Sequence, residues 1–331
     1  MTFFGDRMAH TELATPPHDH EVFFYDVDSE LVAAVADYVG AGLSDDERVI
    51  VIATAPHLAA LDAVLHDRGV DASLARTAGT YLALDAAETL DLFMVGGSPD
   101  VNKFMSAVGG VLDAARADSS TVRAFGEMVA LLWHQDNAAG AIALESLWND
   151  LAGHQQFSLL CAYPTTALGA AELGDVNDVC RIHSAVLPPS SYASLPSIGV
   201  EGGAATYSDV FVAVPEAVAA ARRFTTATLT SLGENHLVYD GALIISELAT
   251  NAIIHGGSPF RASIERAANV VRIAVEDAGP GLPRSRRAPD DALNGRGVAI
   301  VEELSSRWGC DRLNGGKVLW AELESASTQA E

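Results

Sequence analysis

The stretch "ELATNAIIHG" (Glu247–Gly256) places a carboxylate, an amide and an imidazole at intervals of four residues, on Glu247, Asn251 and His255. At about 3.6 residues per turn, this spacing stacks the three side chains on one stripe of a helix. The residues between them are mostly Leu, Ala and Ile, which favour a core. A polar stripe on an otherwise apolar helix therefore points to a ligand rather than to simple packing.

Two glycine-rich turns downstream carry groups that, like the polar stripe of this helix, suit the binding of a ligand. In "VEDAGPGLP" an apolar strand ends in Asp277 and turns through Gly279 and Gly281, and in "NGRGVAIVEEL" Gly295 and Gly297 precede a helix. A helix start behind a glycine turn favours phosphate, because free N–H groups and the helix dipole both attract anions. An Asp at the end of a buried strand needs hydrogen-bond donors, and an amino group on a ligand ring supplies one. Together the three segments predict a nucleotide site.

The stretches "ELATNAIIHG", "EDAGPG" and "GRGVAIV" resemble the N, G1 and G2 boxes of the GHKL (Bergerat-fold) ATPases. Within that superfamily they are most similar to the RsbW/SpoIIAB-type anti-sigma-factor kinases, over about residues 206–324. The resemblance implies an α+β sandwich that binds ATP and Mg²⁺. It makes Glu247 the catalytic carboxylate, Asn251 the Mg²⁺ ligand and Asp277 the acceptor for the adenine amino group.

The same resemblance assigns the remaining binding residues. The glycines shape the lid and phosphate turns, and the other side chains border the phosphates: Gly279, Gly281, Gly295, Gly297, His255 and Arg296. A structural role for His255 and a solvated position for Arg296 are equally consistent with the sequence.

The first half of the chain alternates short apolar runs with helical patterns. "RVIVIAT" (48–54) is apolar nearly throughout, which is typical of a strand buried on both faces. Repeated β-α-β units predict a parallel sheet covered by helices, hence a three-layer α/β domain. The patterns also predict helical structure over 89–117 and a last helix over 173–186. No phosphate-binding glycine motif follows any of these strands.

Several phrases of this half resemble the MEDS (methanogen/methylotroph, DcmR sensory) domain, a P-loop-less relative of the RecA/KaiC fold. They include "HEVFFY", "LDLFMVGGSPD", "VRAFGEMVALLW", "ALESLWNDL" and "FSLLCAYP". The resemblance covers about residues 18–188 and implies a small-molecule sensor. Ligands of open α/β sheets bind at the carboxyl ends of strands. The pocket is therefore expected among Tyr25, Glu127, Trp133, His134, Glu145 and Trp148. The alternatives are core packing for the two tryptophans and capping of the following helix for Glu127.

Residues 189–205 are rich in Pro, Ser and Gly and predict a linker between domains at 18–188 and 206–324. In the second domain, the helix that starts at Gly297 is predicted to run to Gly309. The net charge of −24 falls mostly on the first half, which disfavours nucleic acid and anionic membranes as partners. The cysteines Cys161, Cys180 and Cys310 and the "HDH" at 18–20 fit no metal or disulfide framework, which favours a cytoplasmic protein with reduced thiols.

These features predict a cytoplasmic sensor that controls an ATP-dependent serine/threonine kinase of the anti-sigma type. Its partner would be a STAS-domain anti-anti-sigma protein, which it phosphorylates, a sigma factor, which it sequesters, or both. One alternative is a non-catalytic, ATP-bound switch that only binds partners. The other is an atypical histidine kinase that uses His183 or a separate acceptor protein. The sequence leaves open whether the chain forms a homodimer.

Overall fold

The computed structural model describes residues 20–118, 121–168, 172–192, 206–267, 269–279, 297–313 and 315–325. Two main sheets organise these residues, one of six strands and one of five. The mixed architecture predicted from the sequence is confirmed at this level, with a parallel sheet first and an antiparallel sheet second.

The first sheet lies in the amino-terminal half. The strands of this half are β1 (His20–Tyr25), β2 (Arg48–Ala53), β3 (Tyr81–Asp85), β4 (Met94–Val95), β5 (Ser98–Pro99), β6 (Val122–Gly126), β7 (Ser158–Pro164) and β8 (Ala185–Leu187). Six of them form a parallel sheet in the order β3-β2-β6-β7-β1-β8, and β4 pairs with β5 in a separate hairpin. The carboxyl ends of all six strands therefore lie at one edge.

Helices cover both faces of this sheet. They are α1 (Asp28–Ser44), α2 (Ala55–Asp67), α3 (Ala72–Ala78), α4 (Ala86–Phe93), α5 (Val101–Phe104), α6 (Gly110–Asp118), α7 (Met128–His134), α8 (Ala138–His154), α9 (Thr165–Leu168) and α10 (Leu173–Ile182). Val49 and Val51 of β2 point to α1 and α2, whereas Ile50 and Ile52 point to the core under α4, α7 and α8. This alternation explains why β2 is apolar at nearly every position.

The second sheet lies in the carboxy-terminal half and is antiparallel. Its strands are β9 (Thr206–Phe211), β10 (Phe260–Ala267), β11 (Val270–Asp277), β12 (Arg307–Leu313) and β13 (Gly316–Glu324), in the order β12-β13-β11-β10-β9. The helices α11 (Glu216–Ser231), α12 (Val238–Asn251) and α13 (Gly297–Leu304) belong to the same half. Alternate residues of β10 and β13 are buried, so one face of the sheet packs on the helices.

One helical stretch among the described residues, Asn235–Gly256, is long and apolar enough by composition to cross a membrane. It contains α12, whose Ile244, Ile245 and Leu248 are buried in the core against α11 and β11. A core helix of a globular domain passes the same test of length and hydropathy.

Three sequence predictions of element boundaries are wrong. The helix expected over 173–186 ends at Ile182, and the chain continues as β8, which pairs with β1. The helix expected to reach Gly309 ends at Leu304, and 307–313 form β12 against β13. The helical region over 89–117 is interrupted by the hairpin of β4 and β5, where Gly96 and Gly97 have positive φ.

A short 3-10 turn, Ser190–Tyr192, joins the two halves; of the predicted linker over 189–205, residues 193–205 lie outside the described part of the chain. On one side, the backbone N–H groups of Ser190 and Ser191 donate to the carboxylates of Glu30 and Asp26. On the other side, the Tyr192 hydroxyl accepts from the backbone N–H of Val212 at 3.0 Å. The Arg223 guanidinium also donates to the carbonyl of Tyr192. The turn therefore contacts both domains.

Candidate functional site

Asp277 ends β11 and is the most deeply buried carboxylate of the second domain, with 1% of its surface exposed. Its Oδ1 accepts from the Lys317 ammonium at 2.7 Å and from the backbone N–H of Gly279 at 2.8 Å. Its Oδ2 is buried and has no hydrogen-bond partner among the described residues. A buried carboxylate oxygen without a donor is costly, so this position suits an amino group of a ligand.

Glycines let the backbone close around this carboxylate. A Cβ on Gly279 would lie 2.4 Å from the Cα of Gly256, so only glycine fits where the turn after β11 meets the end of the α12 segment. Gly256 itself lies against the Asp277 side chain. The end of the helix, the end of the strand and the glycine turn therefore meet at one place.

The α12 side of the site holds the carboxylate and the amide. Glu247 and Asn251 are both half-buried, and the Asn251 amide nitrogen has no hydrogen-bond partner among the described residues. A Cβ on Gly297 would lie 2.5 Å from Glu247 Oε2. The amino terminus of α13, a place that favours anions, thus approaches the carboxylate of α12.

His255 differs from Glu247 and Asn251 in its surroundings. After Asn251 the helix widens into a π turn, Ala252–Gly256, which changes the rotation per residue. The His255 side chain is exposed. Gly281, Gly295 and Arg296, which the resemblance assigns to the lid and phosphate turns, lie outside the described residues.

ATP with Mg²⁺ fits the residues described here. The unpaired Asp277 Oδ2 offers an acceptor for an exocyclic amino group, the Asn251 amide offers a metal ligand, and the start of α13 offers N–H groups to phosphate.

Sequence reasoning missed Lys317, whose ammonium is buried beside Asp277. The sequence contains only two lysines, and this one lies near the start of the strand "GGKVLWAELE". The proximity of Lys317 to Asp277 is apparent only from the strand register, because the pairing of β11 with β13 places these two residues opposite each other. The ion pair holds the carboxylate in place while one of its oxygens stays free.

A second concave site lies at the carboxyl edge of the parallel sheet, as expected for a sensor. It is a cavity of about 690 Å³. Residues at the ends of β1, β2, β6 and β7 line it: Tyr25, Thr54, Glu127 and Pro164, joined by His57 and His134.

Glu127 and His57 form the polar centre of this cavity. The His57 Nδ1 lies 2.7 Å from Glu127 Oε1, and Glu127 Oε2 accepts from the backbone N–H of Thr54 at 2.9 Å. The hydrogen bond with Glu127 raises the pKa of His57, although burial opposes this. Burial, followed by the charge of Glu127, raises the pKa of the Tyr25 hydroxyl. His57 was not singled out from the sequence, because a lone His on a helix has no signal of its own.

Three residues expected in the sensory pocket lie elsewhere. Trp133 packs edge-to-face on Tyr163 with centroids 5.3 Å apart, and Trp148 packs on Phe104 at 5.4 Å. Glu145 is fully buried and bonds to Cys161 and Tyr163. The packing alternative is correct for both tryptophans, because their large rings are buried in the core of this domain.

His183, the acceptor considered for a histidine kinase, is 5% exposed in the first domain. Its Nδ1 donates to the carbonyl of Val179 at 2.7 Å. The ring is therefore held in the core of the first domain.

Comparison with known proteins agrees with this two-part organisation. Residues 19–184 match the family described as MEDS, the methanogen/methylotroph, DcmR sensory domain. Residues 211–323 match the histidine kinase-like ATPase domain. A 41-residue segment is 49% identical to the signal transduction histidine-protein kinase AfsQ2 of Streptomyces coelicolor. The segment covers 12% of this chain and 8% of that protein.

Proposed function

We propose that this chain, which belongs to the MEDS family and continues into a histidine kinase-like ATPase domain, is a signalling switch whose sensory half controls an ATP-Mg²⁺-dependent protein kinase. The kinase would be of the anti-sigma type and act on a serine or threonine of a partner protein. In this proposal the sensory ligand is a small molecule in the cavity around Glu127, and the chain works in the cytoplasm as a transcription regulator.

The environment of Asp277 is the main support. Its free Oδ2 accepts the adenine amino group, while Lys317 and the Gly279 N–H fix the other oxygen. A site with one preset acceptor selects a purine that carries an amino group, because a base without it leaves the carboxylate unpaired.

Glu247 and Asn251 supply the chemistry of transfer. The Asn251 amide oxygen would hold Mg²⁺, which would supply positive charge beside the phosphates of ATP. The acceptor hydroxyl forms the new P–O bond as the bond to ADP breaks, and Glu247 takes the hydroxyl proton. The start of α13 stabilises the negative charge of the phosphates during this step.

The partner in this proposal is a STAS-domain anti-anti-sigma protein, with sequestration of a sigma factor as the second output. The burial of His183 supports an acceptor outside this chain. Phosphoryl transfer to a separate protein would let the chain signal without phosphorylation of the buried His183.

The test is transfer of label from γ-labelled ATP to STAS-domain proteins of the host. We expect acid-stable label on a partner Ser or Thr, and a loss of about 10²–10⁴-fold in Glu247→Gln with nucleotide binding kept. Glu302→Gln, an exposed carboxylate on α13, is the matched control and should behave as wild type. Nucleotide binding without any transfer of label would contradict the kinase proposal and favour a non-catalytic, ATP-bound switch.

The segment similar to AfsQ2 favours one second candidate, a histidine kinase with a separate acceptor protein. The same labelling assay separates the two, because phosphohistidine is lost in acid whereas phosphoserine and phosphothreonine survive. Acid-labile label on a partner would overturn the serine/threonine proposal and leave the nucleotide site intact.

A further inference from the structure

Four potential metal ligands meet in the core of the MEDS domain, and none of them lines the cavity around Glu127. His20 begins β1, Glu145 lies on α8, Cys161 lies on β7, and His183 follows α10. Glu145 and Cys161 are fully buried, and His20 and His183 are 1% and 5% exposed. One ligand atom from each lies within 4.8 Å of every other.

Three of the ligand atoms form a triangle whose edges match one face of a tetrahedron around a metal ion. His20 Nε2 lies 3.2 Å from Glu145 Oε2 and 3.3 Å from Cys161 Sγ. Cys161 Sγ lies 3.3 Å from the same carboxylate oxygen, and His183 Nε2 lies 3.4 Å from Glu145 Oε1. Zn²⁺ bonds of about 2.0–2.3 Å in tetrahedral geometry place neighbouring ligand atoms about 3.3–3.7 Å apart. The cluster needs little movement to close on an ion.

Outer hydrogen bonds orient both imidazoles with Nε2 inward. His183 Nδ1 lies 2.7 Å from the carbonyl of Val179, which can only accept, so Nδ1 carries the proton. His20 Nδ1 lies 2.8 Å from Asn149 Oδ1, and the nitrogen of that amide donates to the carbonyl of Ile182. A neutral His20 therefore also holds its proton on Nδ1. Such partners are what metal-binding histidines use to fix their tautomer.

The inward atoms have fewer donors than acceptors when both rings are neutral. With both rings neutral, two Nε2 lone pairs and an acceptor-only carboxylate face one another, and the single thiol proton cannot serve all three. His183 Nε2 makes no hydrogen bond among the described residues, and Tyr163 donates to Glu145 Oε1 at 2.9 Å from outside the cluster. A cation at the centre would pair with all four ligand atoms.

We propose that His20, Glu145, Cys161 and His183 form a structural site for a divalent transition metal, with Zn²⁺ preferred. Two imidazoles, a thiolate and a carboxylate suit this borderline-soft ion, and four protein ligands close the coordination sphere without room for substrate. His183 precedes β8 and the Ser190–Tyr192 turn. The metal thus ties the segment that enters the ATPase domain to β1 and β7.

The test uses the full chain expressed in medium supplemented with Co²⁺, so that the ion enters during folding. We expect one Co²⁺ per chain, tetrahedral visible absorption and a thiolate-to-cobalt charge-transfer band. Growth with Zn²⁺ should give one tightly held Zn²⁺ by elemental analysis. Cys161→Ser should lose the charge-transfer band, whereas Cys310→Ser, in the other domain, should keep it.

The wild-type chain alone can overturn the proposal. If folded protein from metal-supplemented cells holds no stoichiometric Zn²⁺ or Co²⁺, the cluster is a metal-free hydrogen-bonded core. A cobalt spectrum that Cys310→Ser loses and Cys161→Ser keeps would also overturn it. Asn149→Ala, which removes only the partner of His20, should weaken binding about 10–100-fold. Binding of ATP is measured separately, so either proposal can fail alone.

Discussion

A buried carboxylate lies at each of the two candidate sites of the chain. Asp277 keeps one oxygen free because Lys317 and the Gly279 N–H occupy the other. Glu127 uses both of its oxygens on His57 and Thr54. A buried carboxylate is stable only with such partners, so the partners decide whether it supports structure or receives a ligand.

The pair of His57 and Glu127 predicts a pH-dependent stability. The hydrogen bond with Glu127 raises the pKa of His57 above its ordinary value, so the pair stabilises the fold fully below that ordinary value. The contribution disappears as pH rises through the raised pKa. His57→Gln should therefore destabilise the chain by roughly 1 kcal/mol more at about pH 6 than at about pH 9.

Thermal denaturation at the two pH values measures this difference. His66→Gln, an exposed histidine on the same helix, is the control and should show no such dependence. An equal loss of stability for His57→Gln at both pH values would mean that the ion pair contributes nothing.

Elements differ in how much of them the sequence could predict. The apolar run of β2 and the helical period of α12 are local signals, and both elements form where expected. β8 and β12 were read as continuations of helices, because their strand conformation comes from pairing with β1 and β13, which are distant in sequence. Long-range pairing overrides a local helical period.

The same limit applies to the candidate sites. Glu247, Asn251 and Asp277 lie in motifs that can be read in short stretches, whereas the roles of Lys317 and His57 depend on partners 40 and 70 residues away. The buried histidines His20 and His183 are separated by most of the first domain. No spacing rule connects them, so the metal cluster became visible only in the fold.

The edge strand β12 gives a prediction of its own. A Cβ on Gly309 would lie 2.6 Å from Cζ2 of Trp320, whose ring Arg272 covers at 4.0 Å and whose Nε1 donates to Asp311. The ring cannot move aside cheaply, so Gly309→Ala should cost about 1–3 kcal/mol of stability.

Hydrogen exchange of the β12 amides, with thermal denaturation, checks this expectation. Gly174→Ala in α10 is the control, because no atom lies within 4 Å of its Cβ position. Unchanged β12 protection in Gly309→Ala would show that Trp320 adapts after all.

The turn at Ser190–Tyr192 contacts both halves of the molecule. Tyr192 packs against Phe211 with centroids 5.8 Å apart, while its hydroxyl accepts from Val212. Asp26, which borders the sensory cavity, accepts from Ser191. The contacts form a continuous path from the cavity to the start of the ATPase domain.

Removing the Tyr192 side chain should make the two domains unfold more independently. Tyr192→Ala deletes the ring contact and leaves the Val212 N–H unpaired, which costs about 1–3 kcal/mol for the hydrogen bond alone. Differential scanning calorimetry should show the unfolding of the two domains moving apart. Tyr239→Ala, at a residue 74% exposed on α12, should leave the scan unchanged. Identical scans for Tyr192→Ala and wild type would show that Tyr192 does not couple the unfolding of the two domains.

Titration calorimetry with a non-hydrolysable ATP analogue and Mg²⁺ tests most directly whether the carboxy-terminal half is a nucleotide site. Wild type should bind one nucleotide per chain, and Asp277→Asn should bind about tenfold or more weakly, because its amide cannot replace the charged acceptor. Glu276→Gln, the preceding residue on β11, should bind as wild type does. No heat from the folded wild-type chain, or equal affinity in Asp277→Asn, would contradict the assignment.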